Sequence, residues 1–191
     1  MRDLSTIENR ILDTTLYLIG KTGSFNVPIR QIAKEAEVNV GAINYYFKTK
    51  EEFMLYVKRF YIRNMLAAYD VLDHEDIDPE ERLILAANEI MEYTLKYPGI
   101  LIILKEARER KDKDETDREI MELTEKLNSK FHNTLKIVLS GGADFEYKRV
   151  IFLSSILYPT IVVDLGSVDK KIIGKKEDRI EYIKYVLEKL K

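Results

Sequence analysis

A chain of 191 residues with 46% hydrophobic and 34% charged side chains can bury a sizeable core, and this composition argues against a disordered chain. It contains no cysteine, which excludes disulfides, thiolate nucleophiles and cysteine-ligated zinc together. The net charge of −2 is unevenly spread: residues 1–64 carry ten Lys/Arg against seven Asp/Glu, a net +3, and the rest carries twenty-one against twenty-six, a net −5. A basic first third on an acidic body points to an anionic partner at the N-terminal end.

Charges run through the N-terminal stretch "MRDLSTIENRILD", so it does not read as a signal peptide, and the longest apolar tract, Val150 to Val163, is too short to span a bilayer. The expectation is an intracellular, cytoplasmic protein with no membrane segment.

Helical spacing dominates the chain and sustained alternation is missing, which predicts an all-α fold. Ser5 and Glu8 form a capping box for a first helix with Ile7, Ile11, Thr15 and Leu18 on its buried face, ended by Gly20 and Gly23. A short second helix follows Asn26 and Pro28, with Pro28 suited to its first turn. Asn39 can cap a third, whose buried side is Ile43 and Phe47. Thr49 and Glu52 open a long fourth helix through Phe60 and Met65 to Tyr69. Asp78 and Pro79 start the next, which runs to about Lys96, where "YPG" breaks it. Further helices are predicted from Ile100 to about Arg110, from Thr116 to Leu139, from Phe145 to about Val163 with a bend at Pro159, and from Glu177 to Lys191. "SGGAD", Ser140 to Asp144, reads as a C-cap, a turn and an N-cap. Gly166 to Gly174 reads as a loop.

Residues Ile29 to Phe47 stand out. Ile29, Ile32, Ala33, Ala36 and Val38, then Ile43 and Phe47, have the spacing of a helix, a tight turn and a second helix, with small alanines where the two cross. If Ile43 and Phe47 face the core, Val40, Gly41, Asn44 and Tyr45 fall on the opposite face. Bare backbone at Gly41, methyl groups at Val40 and Ala42, an amide at Asn44 and a ring with a hydroxyl at Tyr45 suit the major groove. Lys48 and Lys50 follow at the start of the next helix, where free N–H groups also favour phosphate.

The segment "IRQIAKEAEVNVGAINYYFKTKEEF" resembles the DNA-binding segment of the TetR family of bacterial regulators, and the resemblance covers about Ile7 to Tyr56. Ile32, Ala33, Ala36, Val38, Gly41, Phe47 and Lys50 match the family pattern, and Ile43 matches in type. Glu37 stands where glycine is usual, which a helical backbone there would tolerate. Asn44 and Tyr46 replace the usual tyrosine and histidine, and Val27 and Pro28 occupy a region where a capping hydroxyl is common.

The resemblance implies a helix-turn-helix DNA-binding domain at 1–48 and a helical ligand-binding and dimerisation domain at 49–191. It implies DNA contacts at Arg30, Gln31, Val40, Gly41, Ala42, Asn44, Tyr45 and Lys50, and Asn39 and Lys48 beside them are further candidates for DNA contact. It also implies an interior site for a small molecule and pairing of two copies through the last two long helices. The aromatic and flexible residues Tyr93, Tyr97, Met121, Phe131 and Phe152 are the candidate pocket lining, although any single one of them reads more readily as plain core than as lining. Ile156, Thr160, Val163, Ile180, Ile183 and Leu187 are the candidates for a homodimer interface.

The function expected is a transcriptional repressor released from a palindromic double-stranded operator by a small, largely apolar effector. The competing reading is a nucleoid-associated interaction protein with a DNA anchor and no ligand. No enzyme, cofactor or metal is expected. The chain has two histidines in unrelated contexts and no nucleophile motif, "DHEDID" reads as a solvated loop, and "SGGAD" lacks the lysine and hydroxyl of a phosphate loop.

Overall fold

The computed structural model describes residues 4–163, 166 and 168–191. Residues 1–3, 164, 165 and 167, including Ser167 of the expected loop, lie outside the described residues. The helices are α1 (Thr6–Thr22), α2 (Ile29–Glu35), α3 (Val40–Phe47), α4 (Lys50–Tyr69), α5 (Pro79–Lys96), α6 (Ile100–Arg110), α7 (Glu115–Val138), α8 (Phe145–Val162), α9 (Lys170–Ile173) and α10 (Lys176–Leu190). A 3-10 turn, Asp70–Asp73, extends the end of α4. No strand occurs among the described residues, and no helix there is long and apolar enough to cross a membrane.

The helix starts follow from local chemistry. Ser5 and Glu8 complete the capping box: the Glu8 N–H donates to Ser5 Oγ at 3.3 Å and the Ser5 N–H to Glu8 Oε2 at 2.9 Å. Gly23, at φ +67°, supplies the left-handed residue that ends α1. Asn39 Oδ1 accepts the Ala42 N–H at 2.6 Å and starts α3, and Thr49 Oγ1 accepts the Glu52 N–H at 3.1 Å at the head of α4. Some local expectations fail. Pro28 is the N-cap of α2 rather than its first helical residue. Asp144 precedes α8 without capping it and pairs with Lys148 instead, at 3.2 Å. The stretch expected as a loop holds the single turn α9, capped by Asp169.

Packing divides the chain into two compact units, Met1–Met65 with Tyr97–Leu123, and Leu66–Lys96 with Thr124–Lys191. Two of the boundaries fall inside α4 and α7 and the third at the end of α5, and the first unit contains the whole of residues 1–48.

In the first unit, Ile11, Leu12, Leu16 and Ile19 of α1, Ile32 and Ala33 of α2, Ile43 and Phe47 of α3, and Phe53 and Val57 of α4 are buried. The Phe47 ring meets Phe53 at 5.0 Å and Tyr56 at 5.4 Å, so two aromatic contacts fix the angle between α3 and α4. The α1 and α6 backbones touch at Gly20 and Gly99, where a methyl on either residue would overlap the other's main chain. Beside this contact the Tyr97 hydroxyl donates to the Asp13 carboxylate. A buried ion cluster closes the unit. Lys58 of α4 reaches Asp117 at 2.7 Å and Asp114 at 3.4 Å, and Arg110 reaches Asp117 at 3.5 Å. Burial alone would raise the Asp114 carboxyl. The Asp117 N–H it accepts, with the Lys58 and Arg110 charges, instead holds it below the ordinary aspartate value.

In the second unit α5, α8 and α10 pack around Leu83, Ala87, Met91, Phe152, Ile156, Ile183 and Leu187, with Phe131 and Leu135 of α7, and Leu139 just after it, in the same core. Pro159 inside α8 has no N–H for the Ser155 carbonyl four residues back. The Tyr182 hydroxyl of α10 donates to that carbonyl at 2.9 Å and fills the gap. Buried Arg179 ties α10 to α5 through Asn88 at 3.0 Å and Glu92 at 2.6 Å, and donates to the Ile173 carbonyl at the end of α9 at 3.2 Å.

Candidate nucleic-acid interface

The helix-turn-helix sets two faces on α3. Ile43 and Phe47 point into the core, while Val40, Gly41, Asn44 and Tyr45 are exposed on the other side, Tyr45 at 79%. Tyr46 is half-buried, its ring edge-on to Tyr45 at 5.2 Å, so one tyrosine supports the helix and the other is presented. Ala42 is half-buried beside them. Arg30 and Gln31 are exposed on the first turn of α2, Lys48 caps the end of α3, and Lys50 opens α4 with its ammonium donating to Asn26 Oδ1. Asn39 is exposed, but its carbonyl oxygen is committed to the α3 cap, so only its amide N–H groups remain for phosphate.

The connecting turn is made by Glu37 at φ +53°, a left-handed backbone rather than the helical one under which glutamate would sit easily. This position requires what glycine offers, which is a physical reason for glycine there. The structure thus presents a protruding helix with methyl, amide and phenol groups, flanked by cations, in a shape that enters a major groove.

The pocket candidates divide between the units. Tyr97 and Met121 belong to the first, where Tyr97 is buried and hydrogen-bonded to Asp13. Tyr93, Phe131 and Phe152 belong to the second. Phe131 and Phe152 stack at 6.1 Å, and Phe131 lines a cavity of about 270 Å³ together with Tyr69, Ile90, Asn128, His132, Arg149, Leu153, Ile156 and Leu157. Arg149 and His132 were not foreseen: one of three charges near the start of α8, and a histidine on the charged α7, give no sign from sequence that they face a cavity.

Of the dimer candidates, Ile156, Thr160, Ile183 and Leu187 are buried within the second unit, their side chains already packed, whereas Val163 and Ile180 are half-exposed. The apolar surface that α8 leaves exposed is a different stripe, Tyr147, Val150, Ile151, Tyr158 and Ile161. The spacing i, i+3, i+4, i+11, i+14 places these on one helical face, a signal available in the sequence.

Residues 11–57 match the family model for bacterial regulatory proteins of the tetR family, a span from Ile11 of α1 to Val57 of α4. No curated protein matches the chain. Among solved structures the chain is similar to a TetR-like transcriptional regulator from a Rhodococcus species, at 13% identity and TM-score 0.63, over 99% of this chain and 97% of that one. It is similar to PfmR, a TetR family transcriptional regulator from Thermus thermophilus, at 17% identity and TM-score 0.60, over 94% and 97%. It is also similar to the transcriptional regulator FadR from Bacillus subtilis, solved in complex with stearoyl-CoA, at 19% identity and TM-score 0.53, over 95% and 96%. These likenesses extend the shared fold over the whole chain, while the matched segment carries the helix-turn-helix itself. The likeness to bacterial regulatory proteins of the tetR family thus rests on residues 11–57, from α1 to α4.

Proposed function

We propose that the protein is a cytoplasmic repressor that binds a near-palindromic operator as a homodimer and leaves it when a small, largely apolar ligand enters the helical body. Residues 1–48 are the DNA-binding part of this reading and 49–191 the ligand-binding and dimerisation part. It is a binding protein, not an enzyme. The observation that carries the proposal is the outward face of α3, where Asn44 and Tyr45 are exposed while Ile43 and Phe47 lock the helix to the core.

Each exposed group has a role. Asn44 has the donor and acceptor to read a base edge, Val40 and Ala42 have methyls to meet thymine methyls, and the Tyr45 hydroxyl, Arg30, Lys48 and Lys50 meet phosphates. The exposed stripe on α8 supports a two-fold pairing of chains, which would set two α3 helices about 34 Å apart on successive major grooves.

Release by ligand is supported by the cavity in the second unit. Tyr69, the last residue of α4, lines it, and the first residue of the same helix is Lys50. A ligand that moves Tyr69 acts on the helix that carries a phosphate contact at its other end, and a shift of a few ångströms misplaces the recognition helices. The FadR complex holds stearoyl-CoA, but about 270 Å³ suits a far smaller occupant than a long acyl chain with its nucleotide.

Selection of binding sites from a pool of random duplexes tests the reading. It predicts a near-palindrome with half-sites one helical turn apart. Recovery of no preferred sequence, with affinity governed by salt alone, would favour the nucleoid-associated reading instead.

A further inference from the structure

The cavity of the second unit is not uniformly apolar, and its polar groups are ordered along the wall. On α8, Arg149 is followed by Leu153, Ile156 and Leu157 at helical spacing. Over the roughly 12 Å of helix between Arg149 and Leu157 the wall passes from a guanidinium to branched aliphatics. Ile90 of α5 and Phe131 of α7 add to the apolar part. On α7, Asn128 and His132 sit one turn apart and both line the cavity. The His132 imidazole stands edge-on to Phe145 at 5.2 Å, and Phe145 is one turn before Arg149, so His132 and Arg149 belong to the same end. Tyr69 adds a hydroxyl whose pKa burial raises to about 12, so it remains an O–H donor at neutral pH.

Arg149 is only partly satisfied. Its Nε donates to Glu146 Oε2 at 2.8 Å, Nη2 lies 2.7 Å from the same oxygen in an ion pair, and Nη1 has no partner among the described contacts. Glu146 is mostly exposed and does not line the cavity. Arg149 is therefore the one full charge among the lining residues. A neutral occupant would strip water from the guanidinium without replacing it, and a cationic one would be repelled. A dianionic phosphate would call for more than one cation. A single carboxylate matches a single planar fork of N–H donors. At about 270 Å³ the space equals the share of roughly nine waters at about 30 Å³ each, enough for a ligand of about ten heavy atoms.

We propose that the effector is a small amphipathic carboxylate of medium-chain length, its carboxylate held by Arg149 and His132 and its apolar tail lying between Ile90, Leu153, Ile156 and Leu157. This rests on the ligand-released reading above and gives that ligand one anionic end. Glu146 competes for the same guanidinium, so it sets the affinity.

Calorimetry on the full chain with octanoate, octan-1-ol and octylamine tests the assignment. Octanoate should bind about ten-fold or more tightly than the alcohol, the size of one charge-assisted hydrogen bond, and the amine should bind weakest. Arg149→Gln should remove that preference and leave the alcohol unchanged, with the thermal melt confirming an intact fold. Glu146→Gln should tighten octanoate about three-fold by freeing the guanidinium. Equal binding of alcohol and acid, binding of none of the three, an unaffected Arg149→Gln, or weaker octanoate in Glu146→Gln would each overturn the proposal. Octanoate that binds without changing operator affinity would keep this assignment and sink release by ligand. Octanol that releases the operator would do the reverse.

Discussion

Tyr45 and Lys50 concentrate the polar groups that the recognition face offers to phosphate. Tyr45→Ala should cost about 1–2 kcal/mol of operator affinity, because it removes a ring and a hydroxyl that are mostly exposed and free to meet phosphate. Lys50→Ala should weaken binding alike on every sequence and lower the salt slope by about one ion, and fluorescence anisotropy across a salt series reads both effects. The exposure of this face was legible because Ile43 and Phe47 fix which side of so short a helix is inward. The backbone of Glu37 was not legible, since no side-chain pattern reports a φ of +53°. Left-handed geometry costs an ordinary residue about 1–2 kcal/mol, and glycine gives back about half of that through unfolded-state entropy. Glu37→Gly should therefore stabilise the protein by about 0.5–1 kcal/mol in chemical denaturation, and should also strengthen DNA binding by removing an anion near the duplex.

At the scale of elements, α4 shows what spacing conceals. Lys58 reads as one more cation on an amphipathic helix, yet it is buried, and its partner Asp117 lies 59 residues away. No local pattern signals such a pair. Lys58→Met should destabilise the first unit by about 3 kcal/mol at neutral pH, because it leaves Asp117 buried with only Arg110 nearby. Since the folded Asp114 carboxyl is held below its ordinary 3.8, the stability it contributes is present above that pH and lost as pH falls below it. The gap between wild type and Lys58→Met should accordingly narrow below about pH 4 in urea melts. Helix α8 illustrates the opposite case. Its bend-forming Pro159 was visible in the sequence, but the tyrosine that takes up the orphaned Ser155 carbonyl comes from α10. Its apolar character was equally visible. Which half of it faces the core depends on α5 and α10, so the inward Ile156 and the outward Ile151 looked alike.

For the whole molecule, the exposed stripe on α8 is the surface a second copy would cover. Ile151→Glu should convert dimers to folded monomers, whereas a charge at Ile183 or Leu187 should unfold the second unit because both are fully buried. Sedimentation velocity with circular dichroism separates these outcomes. The fold class was legible from end to end because every long segment carries its own helical period. The cavity of the second unit was not, because its lining is drawn from four helices, α4, α5, α7 and α8. The central claim, that two chains read one DNA sequence through α3, is tested most directly by titrating the selected operator with the protein in an analytical ultracentrifuge, alongside a scrambled duplex of equal length. The account predicts two chains per operator and an affinity at least about 10³-fold above that for the scrambled duplex at physiological salt. One chain per site, or equal affinity for both duplexes, would contradict it.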